Sequence, residues 1–312
     1  MLRAEEANLL TRDQLERMLS EPSFEDACRM AADAGYQDMS EMDVAGVNAA
    51  LEARRVEELS DIREMLPDKD VAVLVCLQYD CHNAKVLVKS GGDLAGSEAL
   101  LSRAGCFTPE QLKEVYDAES GAGDLPLEFA EAIRAAKQAL ARTGNPQLSD
   151  FLLDKAYFGE MLSLAERTGR PFLVDFVRNR IDKVNLRSLL RTLDMGKRSE
   201  LLSNALIEGG GIGIEQLAEM ASTKEDAARL YNVTIFDHAA EAGDMTGFEK
   251  AADNAELEFT GGGCVIPFGP EVVVEYASAL ENEIVSLRII LTGKRMGIGA
   301  ETLRERLRET YV

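Results

Sequence analysis

The chain has no tryptophan, and aromatic residues make up only 6% of its 312 positions. A β-sandwich core draws on aromatic and β-branched side chains, whereas 46% hydrophobic content this poor in rings suits helices packed through Leu, Val, Ile, Ala and Met. Histidine is nearly missing too: His82 and His238 are the only two. His82 lies beside Cys81 in a helical stretch, where neighbours point in different directions and do not share a metal, and His238 with Glu241 is one lone pair. Both read as structural. The five cysteines (Cys28, Cys76, Cys81, Cys106 and Cys264) are odd in number and scattered, a reduced cytoplasmic pattern rather than a disulfide framework. The longest apolar run, Val71 to Leu77, falls far short of the ~20 residues of a membrane span. The polar opening Met1-Leu2-Arg3-Ala4-Glu5-Glu6 reads as the start of a helix, not as a signal peptide.

Positive charge is scarce: 34 Lys and Arg stand against 55 Asp and Glu, for a formal net charge of -21. That excludes nucleic acid binding, which needs a basic face, and disfavours direct docking on an anionic lipid leaflet. Any membrane connection has to run through another protein. Two stretches break the acidic background. Arg170 to Arg191 carries six basic residues against Asp175 and Asp182, and Ile284 to Val312 carries six against three Glu. They read either as neutralisers of acidic neighbours or as partner-docking surfaces. Catalytic signatures are absent as well. Neither Gly209–Gly213 nor Gly261–Gly263 leads into the Lys-Ser/Thr of a phosphate loop, and the Gly-Lys pair in TGKRMGIG lacks the upstream glycines. No Ser/His/Asp or Cys/His arrangement and no paired DDxxD carboxylates occur. No catalytic residue, metal or cofactor is expected.

What the chain does have is an internal repeat. Pro67, Pro171 and Pro270 each precede a long apolar-rich helical stretch, and the stretches align on Lys85, Arg187 and Arg288. These anchors are 102 and 101 residues apart. Five residues before each anchor stands an acid (Asp80, Asp182, Glu283), and two before it a small polar residue (Asn83, Asn185, Ser286). A second marker repeats at the same period: TRDQLERML, TPEQLKEVY and GIEQLAEMA, with Gln14, Gln111 and Gln216. Two markers in one register argue for three related helical modules, 1–104, 105–208 and 209–312. The third copy shows the clearest stripe: Val273, Ala277, Leu280, Ile284, Leu287 and Leu291 form one buried face between Pro270 and a stop at Gly293.

Around these landmarks the chain reads as helices throughout. Ser23 caps a helix through Met30; Val44 to Leu66 continues the pattern; VAVLVCL resembles a strand alone, but its alignment with two clear helices makes it helical. Thr108-Pro109-Glu110 starts a helix, Leu127 to Thr143 forms one with a wet face, Asn145-Pro146 is a turn, and Asp150 caps the next. Gly209–Gly213 is the most hinge-like link. Helices follow near Ile214–Ala221, Lys224–Asn232 and Phe236–Ala242, then a Gly-rich loop over Phe259–Gly269, and Ala300–Tyr311 closes the chain.

The ending EIVSLRIILTGKRMGIGAETLRERLRETYV resembles that of the C subunit of bacterial and archaeal V-type ATPases, the family that includes the d subunit of the eukaryotic V-ATPase. RAEEANLLTRDQLERML, PFLVDFVRNRIDKVNLRSLLR and PFGPEVVVEYASALENEIVSLR extend the resemblance over the whole chain. It implies an all-α protein of three similar domains in a pseudo-threefold funnel. It implies a non-catalytic central-rotor subunit that is cytoplasmic and peripheral at the membrane. Its partners would be the central-shaft subunits of the soluble sector and the membrane proteolipid ring, coupling ATP hydrolysis or synthesis to H⁺ or Na⁺ transport. The competing readings are a free-standing helical-repeat adaptor with no rotary partner, and an all-α enzyme with a closed polar pocket.

The candidate functional residues are the triplicated positions and their basic neighbours. Lys85, Arg187 and Arg288, with Arg178, Arg180 and Arg191, either line the funnel against the shaft or join Asp80, Asp182 and Glu283 in tying modules together.

Overall fold

The computed structural model describes residues 2–195, 200–220, 222–261 and 269–310. Among these every regular element is helical, so the chain is all-α. In chain order the helices are α1 (Leu2–Glu5), α2 (Arg12–Ser20), α3 (Phe24–Asp33), α4 (Val44–Met65), α5 (Lys69–Lys89), α6 (Pro109–Asp117), α7 (Leu127–Thr143) and α8 (Pro146–Arg167). They continue as α9 (Pro171–Asp194), α10 (Glu200–Ala205), α11 (Ile214–Met220), α12 (Lys224–Tyr231), α13 (Asp237–Ala240), α14 (Met245–Gly261), α15 (Pro270–Arg295) and α16 (Ala300–Arg306). Short 3-10 turns lie at Glu6–Asn8 and Ala95–Leu100. The expected break at Gly196, the stretch Gly262–Gly263, Ser199, Ala221, Cys264 and Tyr311 fall outside the described residues.

Local chemistry sets most boundaries. Thr11 and Thr108 cap α2 and α6 by accepting from the N–H of Gln14 and Gln111, whose side chains reach back to the capping residue's own N–H. These reciprocal pairs satisfy two of the unpaired donors of a helix start. Pro171 and Pro270 open α9 and α15, where a missing N–H leaves no bond unmade. The first copy differs: Asp68, not Pro67, caps α5. Asn145 caps α8 with Pro146 in its first turn, so Asp150 lies inside that helix rather than at its start.

Two expected ends move. Gly293 is buried within α15, with the Leu303 side chain seated on it; the helix stops two residues later, and Gly297 takes the left-handed φ of +73 that follows a helix end. The loop expected over Phe259–Gly269 starts late, because α14 runs on to Gly261. Most of α14 escaped the sequence reading. Its buried residues Phe248, Ala252, Leu257 and Thr260 are spread among acids and small residues, so its apolar stripe is weak.

The helices sort into two compact units, Met1–Asp61 with Asn232–Val312, and Ile62–Tyr231. In the second, α5 lies against α6, α7 and α8, while α8 also packs on α7 and α9. The α5 helix is long and apolar enough to cross a membrane by length and composition. Its apolar residues Val71, Leu74, Leu77, Ala84 and Leu87 are instead buried inside the unit, each such burial stabilising by about 1.5–3 kcal/mol for the larger side chains. In the first unit, α15 is central: α1, α2, α3, α14 and α16 pack around it. All six residues of its expected stripe are buried.

Candidate functional site

The triplicated acids share one kind of environment. Asp80 on α5 is fully buried, and its carboxylate oxygens accept from the backbone N–H of Cys106 (2.8 Å) and Phe107 (2.9 Å). Asp182 on α9 accepts from the N–H of Gly211 (2.9 Å) and Ile212 (3.2 Å). Glu283 on α15 accepts from the N–H of Leu10 and from the hydroxyl of Tyr36 (2.6 Å). The amides come from the turn that feeds a Gln-Leu helix. Phe107, Ile212 and Leu10 each stand four residues before Gln111, Gln216 and Gln14. The two sequence markers are therefore the two halves of one joint.

The joints run in a cyclic order. The acid of the first repeat holds the lead-in to the second Gln-Leu helix, the acid of the second holds the third, and the acid of the third holds the first. The last of these brings the two ends of the chain together inside one unit.

Glycine makes the approach possible. Gly105 and Gly210 precede the paired amides, and neither has a positive φ. Their role is space: a Cβ at Gly105 would stand 2.9 Å from the Asp80 carboxyl carbon, and one at Gly210 3.2 Å from that of Asp182, with an oxygen closer still in both. At the third joint Asn8 occupies the corresponding place and the acid bonds one amide instead of two, a tyrosine hydroxyl replacing the other donor. The Gly209–Gly213 segment, expected as a hinge, is thus a carboxylate cradle.

The small polar positions complete two of the three joints. Asn83 donates to the Ser102 carbonyl (2.7 Å) and accepts from the Ser102 N–H (2.8 Å). Asn185 makes the same reciprocal pair with Ile207, at 2.8 Å in both directions. Ser286 is too short for this, and its hydroxyl is buried without a hydrogen-bond partner.

Burial raises the proton affinity of all three acids, and the amide donors oppose it. The Asp80 carboxyl is pushed up to about 7. Asp182 and Glu283 are raised by the same cause, against the N–H groups of Ile212 and Gly211 for one and the Tyr36 hydroxyl and Leu10 N–H for the other. Burial and the adjacent Glu283 charge likewise raise Tyr36.

The basic residues are placed differently. Lys85 on α5 pairs with Asp154 on α8, and one turn on Lys89 pairs with Asp150 at 2.7 Å. Arg288 donates to the Asn48 side chain at 3.0 Å. Arg180 donates to Gln78 at 2.9 Å, with its guanidinium 5.5 Å from the Phe176 ring centre. Arg187 is half-buried on α9, while Arg178 and Arg191 are exposed. Lys85 and Arg288 meet Asp154 and Asn48, while Asp80 and Glu283 meet backbone amides and a tyrosine, because five positions along a helix turn an acid and its anchor to different sides.

The acids stand out in the sequence but what they hold does not, since backbone amides leave no residue-type signature. The fixed four-residue offset to Gln, with Gly105 and Gly210 just upstream, is the signal that marks them.

Comparison with known proteins agrees along the whole length. The ATP synthase (C/AC39) subunit family matches residues 1–306. The C subunit of the V-type sodium ATPase of Enterococcus hirae is 24% identical, covering 100% of this chain and 97% of that protein. The C subunit of the V-type ATP synthase of Thermus thermophilus is 22% identical over 91% and 89%, and that of the A-type ATP synthase of Haloferax volcanii is 24% identical over 84% and 80%. With a family match that leaves out only the last six residues, the chain belongs to the ATP synthase (C/AC39) subunit family.

Proposed function

We propose that this protein is the non-catalytic central-rotor subunit of a V/A-type ATP synthase. It would join the shaft subunits of the soluble ATPase sector to the proteolipid ring in the membrane. The observation that carries the reading is the end-to-end family match. Three further features support it. Three repeats, 1–104, 105–208 and 209–312, linked in cyclic order by like joints, suit a collar around a central shaft. Packed helices transmit strain because their interiors have little free volume, as a part carrying rotation requires. A net charge of -21 suits attachment to the membrane through protein rather than lipid.

In this reading Asp80, Asp182 and Glu283 tie successive repeats. Lys85 and Arg288 brace the helices that carry two of them, and the exposed Arg178 and Arg191 face the shaft. The test is co-expression with the shaft and ring subunits of the same complex. Co-purification with both supports the role; a stable monomer that ignores them supports a free-standing adaptor.

A further inference from the structure

The third joint closes between residues far apart in the chain, and a short segment lies in the register of the linker that the other two joints have. Asn83 and Asn185 grip Ser102 and Ile207, which open the linkers into the second and third Gln-Leu helices. Those residues stand 17 and 20 positions after Lys85 and Arg187, and Leu307 stands 19 after Arg288. Leu307 is fully buried and extended, at the point where α16 stops. The Ser286 hydroxyl has no partner, so the segment Leu307–Thr310 is held by other means. Its two sides are held differently. Toward α14 and α15 the contacts are sheltered or made through the backbone. Arg308 pairs with Asp253 at 2.8 Å, at 12% and 27% side-chain exposure, the Glu309 N–H donates to the Asn254 side chain at 2.9 Å, and Asn282 donates to the Glu309 carbonyl. Toward α2 the contacts are open ion pairs. Glu309 meets Arg12 at 2.7 Å, and Arg304 of α16 meets Glu16 at 3.0 Å, with all four side chains 30–59% exposed.

We propose that Leu307–Thr310 is an ionic strap, fixed to the third repeat and released from α2 by salt, which makes the third joint the one that opens first. Exposed ion pairs shift an equilibrium by at most about fivefold each, and that contribution fades at about 1 M salt, where charges are screened beyond roughly 3 Å. The buried Leu307, the sheltered Arg308–Asp253 pair and the backbone bonds of Glu309 are screened far less, so the strap stays on α14 and α15. Leu15, Met18 and Leu19 stay buried, so α2 keeps its seat as well. What loosens is the lead-in to α2, where the Leu10 N–H meets Glu283. At the first two joints an unbroken linker runs from the residue gripped by Asn to the amides held by the acid, and no ion pair has to replace it.

Hydrogen exchange of the full-length chain, read by mass spectrometry on peptides carrying Leu10, Phe107 and Ile212, tests this between about 0.05 and 1 M NaCl. Salt also relieves the mutual repulsion of a net charge of -21, and the Phe107 and Ile212 peptides report that common change. Exchange at Leu10 should rise about two- to fivefold relative to those two as salt rises. Glu309→Gln, at an exposed position, should show the faster exchange already at low salt and lose most of the salt response. Arg12→Gln should do the same, and the double variant should add little to either. A Leu10 peptide whose salt response matches the other two, or a Glu309→Gln chain that exchanges like the unsubstituted one, overturns the proposal.

Discussion

Replacing Gly105 with alanine separates a steric role from ordinary backbone entropy. At a glycine with negative φ and free space, alanine stabilises by about 0.4–1 kcal/mol through the unfolded state. Gly105 has no positive φ, so that gain applies, but the new methyl carbon would sit 2.9 Å from the Asp80 carboxyl carbon. A short side chain on a helix cannot swing aside and still hold both amides. The N–H groups of Cys106 and Phe107 then lose a charged acceptor, at roughly 1.5–3 kcal/mol per bond. Net destabilisation of about 2–5 kcal/mol is expected from urea unfolding followed by circular dichroism. The companion measurement is a double-mutant cycle with Asp80→Ala. Without the carboxylate the nearest atom left is the Asp80 backbone nitrogen at 3.3 Å, a contact relieved by a shift of a few tenths of an ångström, so Gly105→Ala should change stability there by no more than about 1 kcal/mol. Gly105→Ala as stable as the parent, or equal losses in both backgrounds, refutes the cradle.

Three other outcomes follow from the same geometry. The raised Asp80 carboxyl binds a proton more tightly folded than unfolded, so its contribution is complete below pH ~4 and is lost as pH rises through about 7; Asp80→Asn removes this titration and should flatten the stability profile by up to about 3 kcal/mol between pH ~5 and ~8, and parallel profiles would contradict it. Asn185→Ala strands the Ile207 N–H and carbonyl and should lose about 1–3 kcal/mol, whereas Ser286→Ala removes a hydroxyl with no partner and should be neutral or slightly stabilising by thermal melting. Arg178→Glu, a charge reversal at an exposed position whose cation also favours the Asp182 carboxylate, should weaken shaft binding in pull-down and lower the Tm somewhat; unchanged binding removes Arg178 from the interface.

The repeat was legible in the sequence because it is written in side chains: an acid, a polar residue and a base at fixed offsets on a helix, each buried or paired in its own way. The helices with strong caps, α2 and α6, and those with strong apolar stripes, α7 and α15, were legible for the same reason. What the acids grip was not, since an amide N–H belongs to every residue but proline. Gly210 looked like part of a hinge because glycine more often serves a turn than a close approach. Helix α14 stayed hidden because only Phe248, Ala252, Leu257 and Thr260 of its 17 residues are buried, too few large apolar ones to mark a stripe. Gly293 misled for a related reason: it makes room for Leu303 rather than ending α15.

The most direct test of the rotor role is affinity purification of this chain after co-expression with its shaft and proteolipid-ring subunits, with the captured subunits identified by mass spectrometry. Shaft and ring are both expected to be recovered with the chain and not with each other when it is omitted. Shaft and ring that assemble equally well without it, while the chain elutes alone, would contradict the role.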